Sequence, residues 1–207
     1  MTEPYCLNPA GQRDGPDPPD RMMPVEVRYD KDLEAWIRPY FMAPMNAKNV
    51  RRSNALLGYP YGDDFRYEEA RVAGKGALGW LKGMKGAIGS GGFLQAMALP
   101  PTRRLLKKYV LPKSGEGPSR EVRETGFFHL ILIGKLDDGT VVRARVRGEG
   151  DPGVESTSRM LAESALCLVQ DSDKISVGGG FWTPASAMGE LLLARLVNNA
   201  GLSFQLD

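Results

Sequence analysis

Residues 126–148 read GFFHLILIGKLDDGTVVRARVRG, and this stretch decides the fold class. Two runs rich in β-formers flank Asp137-Asp138-Gly139, a turn signal, so the spacing predicts a hairpin of strands over Glu121–Gly134 and Thr140–Gly148. On the second strand Val142, Ala144 and Val146 point one way; Val141, Arg143, Arg145 and Arg147 point the other. One face is expected to be core, and the arginine face either meets solvent or lines an anionic cleft. His129, the chain's one histidine, lies inside the hairpin. A general base needs a positioned partner, and none stands out in the sequence, so a half-buried, satisfied histidine is the expectation.

Outward toward the C-terminus, Gly148-Glu-Gly-Asp-Pro-Gly153 breaks the sheet. Asp151 can cap a helix that carries Pro152 at its first position. That helix would hold Thr157, Ser158, Met160, Leu161, Ala165 and Leu168. Such a junction can present backbone N–H groups to an anion, or it is an ordinary capped helix. Gly178-Gly-Gly-Phe-Trp-Thr-Pro then leads into a last helix, with Thr183 as cap, Pro184 first, and Met188, Leu192 and Leu196 on one face. Gly201 closes it, and Leu202, Phe204 and Leu206 alternate as a final strand.

Outward toward the N-terminus, Leu78–Leu99 reads as an apolar, glycine-rich helix ended by Pro100-Pro101. Close helix packing is one reading of its glycines; an acyl-binding wall or interfacial segment is the other. Thr102 can cap a basic helix over Arg103–Val110. Ahead of these lies Gly74-Lys-Gly-Ala-Leu-Gly79, which satisfies G-x-G-x-x-G after a strand over Phe65–Ala73. That strand carries Glu68, Glu69 and Arg71, unlike a buried parallel strand, and no acid follows about 20 residues on to hold a ribose. The fingerprint is therefore read as a decoy. From Ala35 to Gly62 there is no acid, yet Arg38, Lys48, Arg51 and Arg52 fall inside. Within it Pro44 suits the first turn of a helix, Val50, Asn54 and Leu57 recur at helical spacing, and Gly58 stops it. Asn46, Ser53 and Asn54 add hydrogen-bonding groups. An anion-facing surface and a solvated helix face both fit. A short strand around Val25–Tyr29 and an apolar stretch Trp36–Met42 come before it.

Residues 1–24 hold six prolines among Gly and Asp and read as an extended linker; residues 25–207 read as one α+β domain with a mixed or antiparallel sheet. Net charge is only +2, but Ala70–Gly115 again lacks acids while carrying nine basic residues, so one lobe is expected to be basic. Its expected partners are an acidic protein or an anionic membrane surface, not nucleic acid. Cys6 and Cys167 make no disulfide framework, and one histidine gives no metal-ligand spacing. No run approaches the ~18 apolar residues of a membrane span. A cytoplasmic protein, peripheral to a membrane if it meets one, is the expectation.

Four pieces in order resemble the C-terminal half of saccharopine dehydrogenase-like oxidoreductases, in the branch that includes trans-acting enoyl reductases. They are Tyr5-Cys-Leu-Asn-Pro; Asn46 through Arg51-Arg-Ser-Asn-Ala-Leu-Leu-Gly-Tyr-Pro-Tyr-Gly62; Gly150-Asp-Pro-Gly153 with Thr157-Ser-Arg-Met-Leu-Ala-Glu-Ser-Ala-Leu; and Gly178-Gly-Gly-Phe-Trp-Thr-Pro-Ala185. The resemblance implies a substrate and dimer-contact domain that follows a nucleotide-binding domain in the parent enzyme. NAD(P) would then belong to the parent and not to this chain, and hydride transfer by this chain alone is not expected. It also implies a homodimer. Beside it, the glycine-rich apolar stretch would suit an acyl or lipid-like substrate, and the positive charge would attract an acidic carrier protein. Within that reading Asn46, Arg51, Arg52, Ser53 and Asn54 form a substrate wall, with Thr157 and Ser158 a second. The rival is a free-standing binding module for lipid or an acidic partner.

Overall fold

The computed structural model describes residues 3–12, 26–113 and 115–207. Contacts cluster within Met1–Lys113 and within Ser114–Asp207, so the stretch read as one domain is described as two compact units. Most of the linker read over residues 1–24 lies outside the described residues. Each unit carries a small three-stranded antiparallel sheet, and six helices accompany them among the described residues. The architecture is α+β, with antiparallel ladders throughout.

In the first unit β1 (Arg28–Asp30), β2 (Ala35–Pro39) and β3 (Ala70–Gly74) pair in that order. The strand expected over Phe65–Ala73 is confined to its end. Helix α1 (Ala43–Leu56) opens with Pro44 in its first turn and is stopped by Gly58 at φ +78°. Helix α2 (Gly76–Ala98) lies against β2 and β3. Three of its glycines, one helical face apart, explain how. A Cβ on Gly79 would sit 2.2 Å from the Gly74 carbonyl oxygen, one on Gly83 2.8 Å from a Val27 methyl, and one on Gly86 2.7 Å from Arg38 Nε. Gly89, Gly91 and Gly92 meet nothing. Close packing is thus the role of the first three only. Helix α3 (Pro100–Tyr109) follows; Thr102 does not cap it but donates back to the Ala96 and Leu99 carbonyls, at 2.6 and 3.1 Å.

In the second unit a short helix α4 (Arg120–Thr125), capped by Ser119, occupies the start of the strand expected from Glu121. Strand β4 (Phe127–Lys135) then pairs with β5 (Val141–Glu149), and β5 with β6 (Leu202–Leu206). The register places Leu130 beside Val146 and Phe204, and Leu132 beside Ala144 and Leu206. One face is apolar as expected, yet Leu130 and Leu132 each stay 48% exposed. The reason is that α5 (Glu155–Gln170) and α6 (Pro184–Asn199) pack on each other, closing a small core of Cys167, Met188 and Leu192. His129 lies exposed on the arginine face opposite Arg147, not half-buried. Thr183 caps α6 reciprocally with Ser186, and Gly189 (φ +45°, ψ −123°) breaks that helix after its first turn.

Candidate functional site

For the basic segment on α1 the expectations are an anion-facing surface or a solvated helix face; Lys48 and Arg51 instead join its buried face, with Ala43, Ala47, Asn54 and Ala55. Arg51, only 2% exposed, lies over the Tyr5 ring at 5.1 Å from its centroid. Burial is the main force lowering its guanidinium pKa, opposed by Tyr5. Arg52 donates to the Leu7 carbonyl. Asn54 donates to the Gly62 carbonyl at 2.8 Å and accepts from the Tyr61 N–H at 3.1 Å, holding the Tyr59–Gly62 turn. Ser53 bonds back to Asn49 at 2.9 Å. Asn46 donates to both oxygens of Glu69, at 3.1 and 2.9 Å. Burial, and then that same carboxylate, push neighbouring Tyr67 up to about 12. So α1 gathers all five of these residues, and each engages groups of the chain itself.

Thr157 and Ser158 sit exposed in the other unit. Thr157 donates to the Pro152 carbonyl at 2.6 Å and Ser158 to that of Glu155 at 2.9 Å, closing the first turn of α5. Asp151 does not cap that helix, which starts at Glu155 and not at Pro152; its carboxylate accepts from the Val154 N–H at 2.9 Å in the turn that precedes α5. The residue overlooked between them is Ser156, fully buried, whose hydroxyl has no hydrogen-bond partner among the described residues.

A cleft of about 510 Å³ in the second unit was not foreseen as such, although its rim is the Gly178–Pro184 stretch already singled out. Leu168, Ile175, Val177, Ala187 and Met188 supply apolar walls, and Ser164, Ser172 and Thr183 supply hydroxyls. Trp182 closes one side, its indole N–H fixed on the Gly178 carbonyl at 2.9 Å. The lining includes no acid, base or thiol, so this cleft can bind an apolar group but cannot move a proton by itself. Nearby Cys167 is buried and its thiol is pushed up by that burial, which suits a core residue and not a nucleophile.

Arg195 on α6 ties that helix to α5, reaching Glu163 (3.0 Å), Asp171 (3.0 Å) and Gln170 (2.9 Å). Lys174 adds a 2.8 Å pair to Asp171. Bonding to Lys174, then to Arg195, holds Asp171 below the usual carboxylate range. A depressed folded-state pKa gives stability that is complete above about pH 4 and lost as pH falls through the lowered value. Acid titration of the near-UV signal of Trp182 is therefore expected to show the second unit loosening below that range. Asp171→Asn should flatten the dependence; an unchanged acid limb would show that the brace does not titrate.

A second, shallower cleft of about 570 Å³ lies in the first unit between Tyr29, Trp36, Trp80, Gly76 and Ala77. It adjoins the G-x-G-x-x-G stretch, which tests that motif for a dinucleotide. The third glycine does seat the helix closely on the Gly74 backbone, as in such a motif, but β3 is antiparallel to its neighbour, so no parallel βαβ unit surrounds it, and Lys75 pairs with Glu34 at 3.5 Å. These residues do not fit a nucleotide fingerprint. Among the described residues no cluster of three metal-ligating side chains occurs. Among the described residues no helix is long and apolar enough to cross a membrane.

The chain is similar to curated mycobacterial proteins. One, named "Putative trans-acting enoyl reductase", from Mycobacterium tuberculosis, is 39% identical over 99% of this chain and 50% of its own length. A trans-acting enoyl reductase of Mycobacterium ulcerans is 34% identical over 95% of the chain and 48% of its own length. Another from Mycobacterium bovis is 38% identical over 78% of the chain and 39% of its own length. The chain thus spans about half the length of the curated relatives it matches. No family model and no solved structure matches it.

Proposed function

We propose that this chain is the substrate-binding half of an NAD(P)-dependent, trans-acting enoyl reductase of the saccharopine dehydrogenase-like kind. The hydride-donating cofactor would be held by the portion of the relatives' length that this chain does not span. The observation that carries the reading is the cleft under Gly178–Pro184: apolar, hydroxyl-edged and without a titratable group, it suits the acyl part of a substrate whose reduction is completed elsewhere. The resemblance places its rim among the family-like pieces, and the relatives' names supply the reaction class. Asn46, Arg51, Arg52, Ser53 and Asn54 shape the first unit, and the Thr157–Ser158 turn starts α5 in the second; the same reading gives them substrate contact.

The test is binding, not turnover. A medium-chain 2-enoyl thioester titrated against the chain should quench Trp182 fluorescence, and Ala187→Phe, which fills the cleft, should weaken that binding at least about tenfold. NADPH titrated alone should give no saturable signal. Equal affinity of the filled variant, or tight NADPH binding, would overturn the division of labour.

A carrier protein is the proposed source of the acyl group. Helix α3 supports it: Arg103, Arg104, Lys107 and Lys108 form one stripe, opposite Leu105 and Tyr109, and all six are exposed. Lys82 and Lys85 on α2 are exposed as well. Replacing Lys82, Lys85, Arg103 and Lys107 with Glu is expected to cut association with an acidic carrier by more than tenfold at low salt. Loss of binding to anionic vesicles, with carrier binding intact, would instead favour the rival reading of a lipid-binding module.

A further inference from the structure

Strand β4 is the edge of its sheet and carries none of the devices that blunt an edge. It holds no proline, its register with β5 runs from Phe127 to Lys135 without a shift, and its single lysine stands at the very end. Its backbone direction follows from the hydrogen bonds on both sides. The Leu136 N–H donates to Thr140, so even-numbered residues of this strand face β5. Independently, the Glu149 N–H donates to Gly201 and the Arg143 carbonyl accepts from Asp207, so odd-numbered residues of β5 face away, toward β6. The odd residues Phe127, His129, Ile131, Ile133 and Lys135 therefore aim their N–H and C=O groups at the open edge.

We propose that a second copy of this chain pairs with that edge, antiparallel, about a two-fold axis through Ile131, so that two three-stranded sheets become one. Ile131 is the middle of β4, and centring there gives every outward backbone group of both copies a partner. The side chains agree with it. Leu130 meets Leu132 of the second copy, Phe128 covers its Gly134, His129 meets Ile133, and Lys135 lies against Phe127 instead of another cation. Because the axis passes through a residue, the apolar face of one sheet continues as the apolar face of the other. A partner strand of unrelated sequence could use the same backbone groups, but this self-matching favours the second copy. The inference does not depend on the substrate reading.

Light scattering at tens of micromolar should give twice the chain mass. Ile131→Pro removes only an outward N–H, so the ladder to β5 survives while the edge is blocked, and the mass should fall to that of one chain. Ile131→Lys, an exposed change that sets two ammonium groups on the axis, should weaken dimerisation at least about tenfold at low salt with far-UV circular dichroism unchanged. Ile131→Cys in a Cys6→Ser background should cross-link on oxidation, since paired Cα atoms there would lie about 5.5 Å apart. A monomeric parent chain overturns the proposal, as does a dimer that ignores both the Pro and Lys variants and fails to cross-link.

Discussion

Gly79→Val is expected to destabilise the first unit by about 3 kcal/mol. The new Cβ would meet the Gly74 carbonyl oxygen and carbon at 2.2 and 2.4 Å, both backbone atoms that no rotamer change can move. Relief requires lifting α2 from β3, which also loosens the contacts of Gly83 with Val27 and of Gly86 with Arg38. The matched control is Gly89→Ala in the same helix. Nothing lies within 4 Å of that position, so helix propensity alone acts and the change should stabilise by about 0.5–1 kcal/mol. Urea midpoints followed by Trp80 fluorescence give both numbers. Equal effects at the two glycines would mean that α2 is not seated on the sheet through its first glycines.

Asn54→Ala should cost about 2 kcal/mol, the second large effect. The side chain is 4% exposed and joins α1 to the Tyr59–Gly62 turn through one donated and one accepted bond. Alanine leaves the Tyr61 N–H and the Gly62 carbonyl to find water at a half-buried place. Thermal midpoint and enoyl-thioester affinity, measured on the same variant, separate two roles. A fall in stability with affinity intact marks Asn54 as a clamp. A loss of affinity at unchanged stability would restore it to the substrate wall.

What could be read from the sequence was what is local. Thr183-Pro184 announced a cap and a first turn, Asp137-Asp138-Gly139 announced the hairpin, and the alternation of Val142, Ala144 and Val146 gave the correct face. α4 was hidden because Val122 and Thr125 are β-formers, while the Ser119 cap and Glu121 in the first turn gave the helical signal that was passed over. The inward turn of Lys48 and Arg51 was not legible for another reason. A cation is usually exposed, and the ring that covers Arg51 comes from Tyr5, 46 residues earlier. No period within α1 can report so distant a partner. The cleft shows the same limit. Its rim is a recognisable glycine-rich stretch, but Ser164, Ser172 and Met188 join it from separate segments, and only folding brings them together.

The break at Gly189 has a consequence for how such a protein can change. The turn before it carries Pro184 and Ala187, which line the cleft; the helix after it carries Arg195, which braces α5. A positive φ with open space around it lets the first turn take its own direction, although Met188 still packs with Leu192 across the break. Met188 belongs to both cleft and core, since it lines the one and packs with Cys167 and Leu192 in the other. Exchanges at Pro184 can therefore reshape the cleft with little cost to folding, whereas an exchange at Met188 alters both at once.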